Sequence, residues 1–221
     1  MIESIFYDKS TLVLRKALSN QDKKWVIRDF TGSKGVSIGL AHKVLKALYE
    51  MGCMDRKKMG TKSYAVVSNP EILLEEWVKE YRFHYNKIYT FYTDDKKILN
   101  KVKKFVPKDK YALTMHTGAN FYTSFVNTED VYMYMESEYM ESELSGIVRD
   151  FKLKKLVKGG NIHFIKPVYR NSVFYGMRRY NEYSIVSPLQ LYLDLYNYPQ
   201  RGKEHAVYLK NILMGENNFY V

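Results

Sequence analysis

The most constraining feature of this sequence is a regular apolar stripe that follows Ser37. Serine is a favourable residue at the start of a helix, and the residues after it are apolar at intervals of three and four, as on one face of an α-helix. The members of the stripe are Ile38, Ala41, Val44, Leu45, Leu48 and Met51. Gly52 then supplies a conformation that commonly ends helices. The pattern predicts an amphipathic helix that buries this stripe.

The opposite face of the same predicted helix is small and largely basic. It carries Gly39, His42, Lys43, Lys46 and Glu50. Two shorter helices are predicted ahead of it, over residues 9–18 and 23–30, because each segment has apolar residues at helical spacing. A third helix that packs on two others and exposes basic residues is typical of helix-turn-helix proteins, in which it enters the DNA major groove.

A basic hairpin is predicted directly after this helix. Residues 53–58 and 62–67 form two extended runs, and Gly60 lies in the turn between them. Its cations would repel one another unless solvent or a phosphate backbone neutralised them. Helices followed by a basic hairpin are the order of a winged helix-turn-helix, which we predict as a DNA-binding domain over residues 1–69.

The predicted DNA-binding residues lie on the third helix and on the hairpin. They are Ser37, His42, Lys43, Lys46, Arg56, Lys57, Lys58 and Lys62. The charge distribution agrees, because the chain up to Pro70 holds 13 Lys and Arg against 6 Asp and Glu, whereas the remainder holds 22 against 18. Such a surface favours double-stranded DNA as the partner. The alternative for a three-helix module is docking to another protein.

Beyond Pro70 the pattern is that of an α/β (α+β) fold with a mixed sheet. Residues 70–86 are predicted to form a connecting helix, and residues 87–221 a second domain. Strands are predicted over 87–92, 111–115, 131–136, 161–167, 172–176 and 183–185. Helices are predicted over 94–105, 118–125, 141–151, 188–196 and 201–213.

Three stretches of this second domain resemble segments of a known protein family, namely residues 111–120, 186–195 and 201–209. In this order, and behind a winged module, they resemble the AbiEi-type transcriptional regulators, the antitoxins of type IV toxin–antitoxin systems. The resemblance covers nearly the whole chain. It implies repression of a toxin–antitoxin operon by the first domain and antitoxin action by the second. The cognate toxin is then a functional partner, and direct binding to it is not implied.

The closing pair of predicted helices has polar residues that we interpret as structural. Gln190 and Asp194 are four residues apart and share a helix face. Arg201 is predicted to return across a short turn and pair with Asp194. Glu204 is the remaining polar member of the pair.

No nucleotide-binding loop, GxSxG elbow or HExxH helix occurs in the sequence, so we expect a regulator that is not an enzyme. The nearest catalytic pattern is Asp150-Phe151-Lys152, spaced as in metal-dependent nucleases, with Glu129 and Asp130 as further ligands. A nuclease or replication-type enzyme that docks on DNA through the winged helix is therefore the alternative function.

Cofactors and membranes have little support in the sequence. Cys53 is the single cysteine and the five histidines lack metal-ligand spacing, so we expect neither a metal nor another cofactor. No stretch approaches the roughly 18 apolar residues that span a bilayer, and the start does not resemble a signal peptide. We expect a cytoplasmic protein that makes no membrane contact. A homodimer is expected if the DNA site consists of paired half-sites.

Overall fold

The computed structural model describes residues 4–32, 34–156 and 159–220, apart from the side chain of Lys62. The chain divides into an N-terminal unit, which comprises the residues up to Tyr81 together with Tyr220, and a C-terminal unit, Arg82–Phe219. Within the described ranges, no helix is long and apolar enough to cross a membrane.

The N-terminal unit consists of helices around a two-stranded hairpin. Its helices are α1 (Asp8–Ser19), a 3₁₀ helix (Ile27–Phe30), α2 (Ile38–Glu50) and α3 (Pro70–Glu80). Strand β1 (Met54–Met59) pairs antiparallel with β2 (Lys62–Val67). Gly60, in the connecting turn, has φ +61°, a left-handed conformation that glycine adopts without strain. The hairpin and its glycine turn are therefore as predicted.

The helix predicted over residues 23–30 is wrong, because only the 3₁₀ turn at Ile27–Phe30 is helical. Trp25 is extended and exchanges two backbone hydrogen bonds with Ala65 of β2, each 2.8 Å long. The Trp25 and Phe30 rings stack with their centroids 4.9 Å apart, so the two apolar residues pack together without a continuous helix. Trp25 thus adds an isolated antiparallel bridge to the edge of the hairpin.

The C-terminal unit contains a mixed sheet, as the predicted fold class requires. Its strands are β3 (Lys87–Tyr92), β4 (Tyr111–Thr114), β5 (Val131–Met135), β6 (Lys154–Lys155), β7 (Ile162–Lys166), β8 (Arg178–Tyr180) and β9 (Tyr183–Ile185). Within the described residues these seven strands have the order β6-β3-β7-β5-β4-β9-β8. Strands β5 and β7 pair in parallel, as do β4 and β9, whereas the other neighbours are antiparallel. The helices are α4 (Ile98–Phe105), α5 (Met115–Thr123), α6 (Ser137–Asp150), α7 (Pro188–Tyr196) and α8 (Gly202–Gly215).

One predicted strand of this unit is wrong. Residues 172–176 form turns, because the Tyr169 carbonyl accepts hydrogen bonds from the backbone N–H groups of Ser172 and Val173. The strand begins further along, at Arg178. Helix α6 also starts four residues earlier than predicted, since the Glu136 side chain accepts from two backbone N–H groups of its first turn.

A carboxylate is enclosed in the C-terminal unit. Asp194 of α7 accepts hydrogen bonds from the Tyr134 hydroxyl of β5 at 2.9 Å, from the Gln190 amide at 2.8 Å, and from the Thr114 hydroxyl of β4. Asp194 and Gln190 have no exposed surface. The predicted Arg201–Asp194 pair is wrong, because Arg201 is exposed and pairs with Glu204. Two of the three stretches that carry the AbiEi resemblance, residues 111–120 and 186–195, therefore meet at a buried polar cluster.

Two buried histidines connect α5 to α8. Their rings stack, and the Nδ1 atoms of His116 and His205 are 2.8 Å apart. The Gln200 carbonyl, 2.8 Å from Nε2 of His116, accepts only, so this nitrogen carries the proton and Nδ1 of His116 accepts from His205. Nε2 of His205 accepts from the Thr123 hydroxyl at 2.7 Å. Burial lowers the pKa of both rings, and that of His205 falls to about 4.

Candidate nucleic-acid interface

Helix α2 exposes its predicted basic face. The Ser37 hydroxyl oxygen accepts a hydrogen bond from the backbone N–H of Leu40 at 3.1 Å, which confirms Ser37 as the cap. The buried members of the apolar stripe are Ala41, Val44, Leu45 and Leu48, and the exposed basic residues are His42, Lys43 and Lys46. Ile38 was predicted to be buried but is 60% exposed. A helical side chain lies over the turn before its own Cα, and no turn precedes the first residue of the helix.

An open groove of about 520 Å³ separates the outer face of α2 from the 3₁₀ helix and the hairpin. Each of these elements contributes a basic side chain: Arg28 from the 3₁₀ helix, His42 and Lys46 from α2, and Arg56 from β1. The aromatic residues Trp25, Tyr49 and Tyr64 also line it. The structure thus brings together three of the predicted residues, two from the predicted third helix and one from the predicted hairpin.

Arg28 is the groove residue that sequence reasoning missed. It lies in the segment predicted as an ordinary helix, where nothing in the apolar pattern distinguishes it from other surface cations. Only the backbone pairing of Trp25 with Ala65 brings the 3₁₀ helix alongside the hairpin. Arg28 could have been assigned to the groove from the sequence only if the pairing of Trp25 with Ala65 had been predicted.

The register of the hairpin divides its cations between two faces. Successive side chains of a strand point to opposite faces. Arg56 and Lys58 therefore share one face, opposite Ala65 and Ser63, whereas Lys57 lies on the other. The backbone of Lys62 pairs with Met59, and its side chain lies outside the described part of the structure. Four of the predicted DNA-binding residues do not line the groove, namely Ser37, Lys43, Lys57 and Lys58.

The electrostatics of the groove leave its cations accessible. Lys46 Nζ is 3.8 Å from the Glu50 carboxylate, and both side chains are largely exposed, so this pair is weak. Arg56 donates a long hydrogen bond of 3.4 Å to the Ser63 hydroxyl. Lys24 Nζ lies 5.3 Å from the centre of the Tyr64 ring, which adds a cation close to the groove. Exposed cations beside neutral donors suit an anionic partner such as a phosphate backbone.

The carboxylates of the nuclease alternative lie in the C-terminal unit, and basic side chains engage two of the three. Asp150, at the end of α6, is 2.9 Å from Arg149 Nε, and Glu129 is 2.6 Å from Lys96 Nζ. Among the residues that the structure describes, no group of three or more His, Cys, Asp and Glu residues is placed to hold a metal ion.

Residues 66–214, about two thirds of the chain, match the family model described as transcriptional regulator, AbiEi antitoxin, type IV TA system. The match covers the end of β2, helix α3 and nearly all of the C-terminal unit. All eight predicted DNA-binding residues precede it. No curated protein and no solved structure gives a significant match to the chain.

Proposed function

This chain belongs to the AbiEi antitoxin family of type IV toxin–antitoxin transcriptional regulators, and we propose that it represses its own operon by binding double-stranded DNA. In this proposal the N-terminal unit is a winged helix-turn-helix, with α2 as the recognition helix and the hairpin as the wing. The observation that carries the proposal is the groove in which Arg28, His42, Lys46 and Arg56 converge.

The groove supplies the sequence-independent part of the binding. Lys46 and Arg56 approach phosphates on either side of it, release the counterions that those phosphates had condensed, and so hold the duplex against α2. The exposed side chains in the first turns of α2, from Ser37 to Lys43, then face the base edges of the major groove. Phosphate contacts position the protein, and base contacts give it specificity.

We assign the antitoxin action to the C-terminal unit and propose that this unit acts without catalysis of its own. In support, the carboxylate of Asp194 accepts from three neighbouring side chains inside the unit, and Asp150 and Glu129 are paired with cations. The toxin is a functional partner of this unit, and direct binding to the toxin is not part of the proposal.

The test is the salt dependence of DNA binding by the full chain. A labelled duplex from the promoter of its own operon is titrated at several salt concentrations, and binding is followed by fluorescence anisotropy. Lys46→Ala and Arg56→Ala should each weaken binding to all sequences and lower the slope of log K against log salt by about 0.9. Lys79→Ala is the matched control, because Lys79 pairs with Glu76 on α3 and does not line the groove.

Other results would identify the alternatives. Absence of binding, or affinity that does not change with salt, would contradict the proposal and favour a protein-docking module. Cleavage of the duplex with magnesium, abolished by Asp150→Ala, would favour the nuclease. We also propose that two copies bind together, in which case footprinting should show half-sites about 10 base pairs apart or a multiple of that spacing.

A further inference from the structure

Ile38 is an exposed aliphatic side chain at the start of α2. It is 60% exposed, whereas the apolar residues that follow it on the same helix, from Ala41 to Leu48, are buried. Its side chain extends past the beginning of the helix, where the helix has no further turn to cover it. Packing within the N-terminal unit therefore does not account for an isoleucine at this position.

The surface around Ile38 is open. Gly39 is exposed, and a methyl group added there would touch only the Ser37 hydroxyl, 3.9 Å away. His42, one helical turn after Ile38, is exposed as well, and Lys43 and Lys46 follow on the solvent side. Ile38 is thus an apolar group at the edge of a cationic surface, next to a residue that allows close approach of a partner.

The chemistry of a branched alkyl group selects among the groups that duplex DNA presents. Phosphates and most base edges offer charges, donors or acceptors, which Ile38 cannot engage. The C5-methyl group of thymine is the apolar group of the major groove, and aliphatic side chains contact it in sequence-specific complexes. The first turn of a recognition helix is also the part whose side chains reach base edges.

We propose that Ile38 is a specificity-determining residue that reads a thymine by packing against its methyl group. The inference rests on the proposed DNA-binding function and adds to it the identity of one base class. Ile38 contributes no charge, so it contributes to the choice of sequence and not to the salt-dependent part of the affinity.

The experiment uses deoxyuridine, which differs from thymidine only by lacking this methyl group. Tight duplexes are first selected from a randomised pool with the full chain, and each thymine is then replaced in turn by uracil. At one position at least, the wild-type protein should lose about fourfold in affinity, the effect of about 0.8 kcal/mol for one buried methyl-sized group. Ile38→Ala should bind the two duplexes of that pair equally, and its salt slope should equal that of the wild type.

Control variants separate the possible failures. Ile72→Ala removes a comparably exposed isoleucine of α3, 41% exposed, and should keep the sensitivity to uracil. Salt-dependent binding in which no uracil substitution matters, or in which Ile38→Ala remains as sensitive as the wild type, would overturn the assignment of Ile38 and leave the DNA-binding function intact. Failure of the wild-type chain to bind any duplex would overturn both.

Discussion

The groove of the N-terminal unit and the enclosed polar clusters of the C-terminal unit place their charged and polar groups in opposite ways. Around the groove of the N-terminal unit, Lys46 and Arg56 are exposed to solvent. In the C-terminal unit, Asp194 and the His116–His205 pair are enclosed, and each is hydrogen-bonded to groups around it. Exposed cations add little to stability and remain available to a partner, whereas enclosed networks specify the fold and are costly to disrupt. Substitutions should therefore change binding in the groove and stability in the enclosed clusters.

The strongest test of this contrast is removal of the enclosed carboxylate. Asp194→Ala deprives Thr114, Tyr134 and Gln190 of a shared acceptor in the interior. We expect a loss of about 3 to 5 kcal/mol in the free energy of unfolding, as when one partner of a buried charged network is removed. Chemical denaturation followed by circular dichroism measures it.

The matched variant lies on the other unit. Lys46→Ala should change the free energy of unfolding by no more than about 0.5 kcal/mol, because it alters an exposed position. Equal losses for the two variants, or a loss below about 1 kcal/mol for Asp194→Ala, would break the contrast between the units.

Acid provides the next largest effect. Burial lowers the folded-state pKa of His116 and His205 below the ordinary value of 6.5, and that of His205 to about 4. As pH falls from about 6.5 towards 4, the unfolded chain takes up protons that the folded chain does not, so stability is present at neutral pH and decreases through this window. We expect a loss of about 2 kcal/mol between pH 7 and pH 5 from His205.

Variants assign this acid sensitivity to the histidine pair. His205→Gln should unfold more easily at pH 7 but lose less additional stability on acidification, as thermal melts across the pH range would show. His42→Ala, on the exposed face of α2, should keep the wild-type pH profile. The contrast would fail if His205→Gln had the same pH dependence as the wild type.

Two glycines of the C-terminal unit refine the comparison, because substitution by alanine should lower the free energy of unfolding at one of them and raise it at the other. A methyl group on Gly202 would lie 2.3 Å from the Leu195 carbonyl oxygen and 2.7 Å from Tyr198 Cβ, whereas one on Gly146 meets nothing within 4 Å. Overpacking costs about 1 to 3 kcal/mol, and Gly202, as the first residue of α8, gains little helix propensity in return. Gly146 lies inside α6, where alanine gains about 1 kcal/mol of helix propensity. Gly202→Ala should therefore lose about 1 to 3 kcal/mol and Gly146→Ala should gain about 1 kcal/mol. If both variants shifted the melting temperature in the same direction, the close contacts at Gly202 would not be what determines the effect of an added methyl group.

Local signals predicted much of the fold. Helix α7 was predicted with its observed ends because Ser187 and Pro188 mark its start within the sequence itself. Strand β3 likewise has its predicted bounds. The errors fall where a distant partner decides the local structure. Trp25 is extended because Ala65, forty residues later, pairs with its backbone.

The difference between local signals and distant partners also applies to the groove and to the Asp194 cluster. The exposed face of α2 could be predicted, since it follows from helical periodicity alone. The four-residue spacing of Gln190 and Asp194 placed them on one helix face, where the structure joins them by a hydrogen bond. The contacts of Asp194 with Thr114 and Tyr134 join residues 80 and 60 positions apart, and no local pattern indicates them. The pairing register of the hairpin decides on which of its faces each cation lies, and amino-acid composition does not reveal that register.

That register supplies the finest test, between adjacent cations of one strand. Arg56 lines the groove, whereas Lys57 lies on the opposite face of the hairpin. Both are exposed, so Arg56→Ala and Lys57→Ala should each leave the free energy of unfolding within about 0.5 kcal/mol of the wild type. Affinity for duplex should nevertheless fall more for Arg56→Ala, with a salt slope lower by about 0.9, because in the proposed complex Arg56 alone of the two faces the DNA backbone. Equal losses of affinity for the two variants would mean that both faces of the hairpin contribute to phosphate binding. The affinity of the N-terminal unit would then depend on the number of cations in the hairpin and not on the face on which each cation lies.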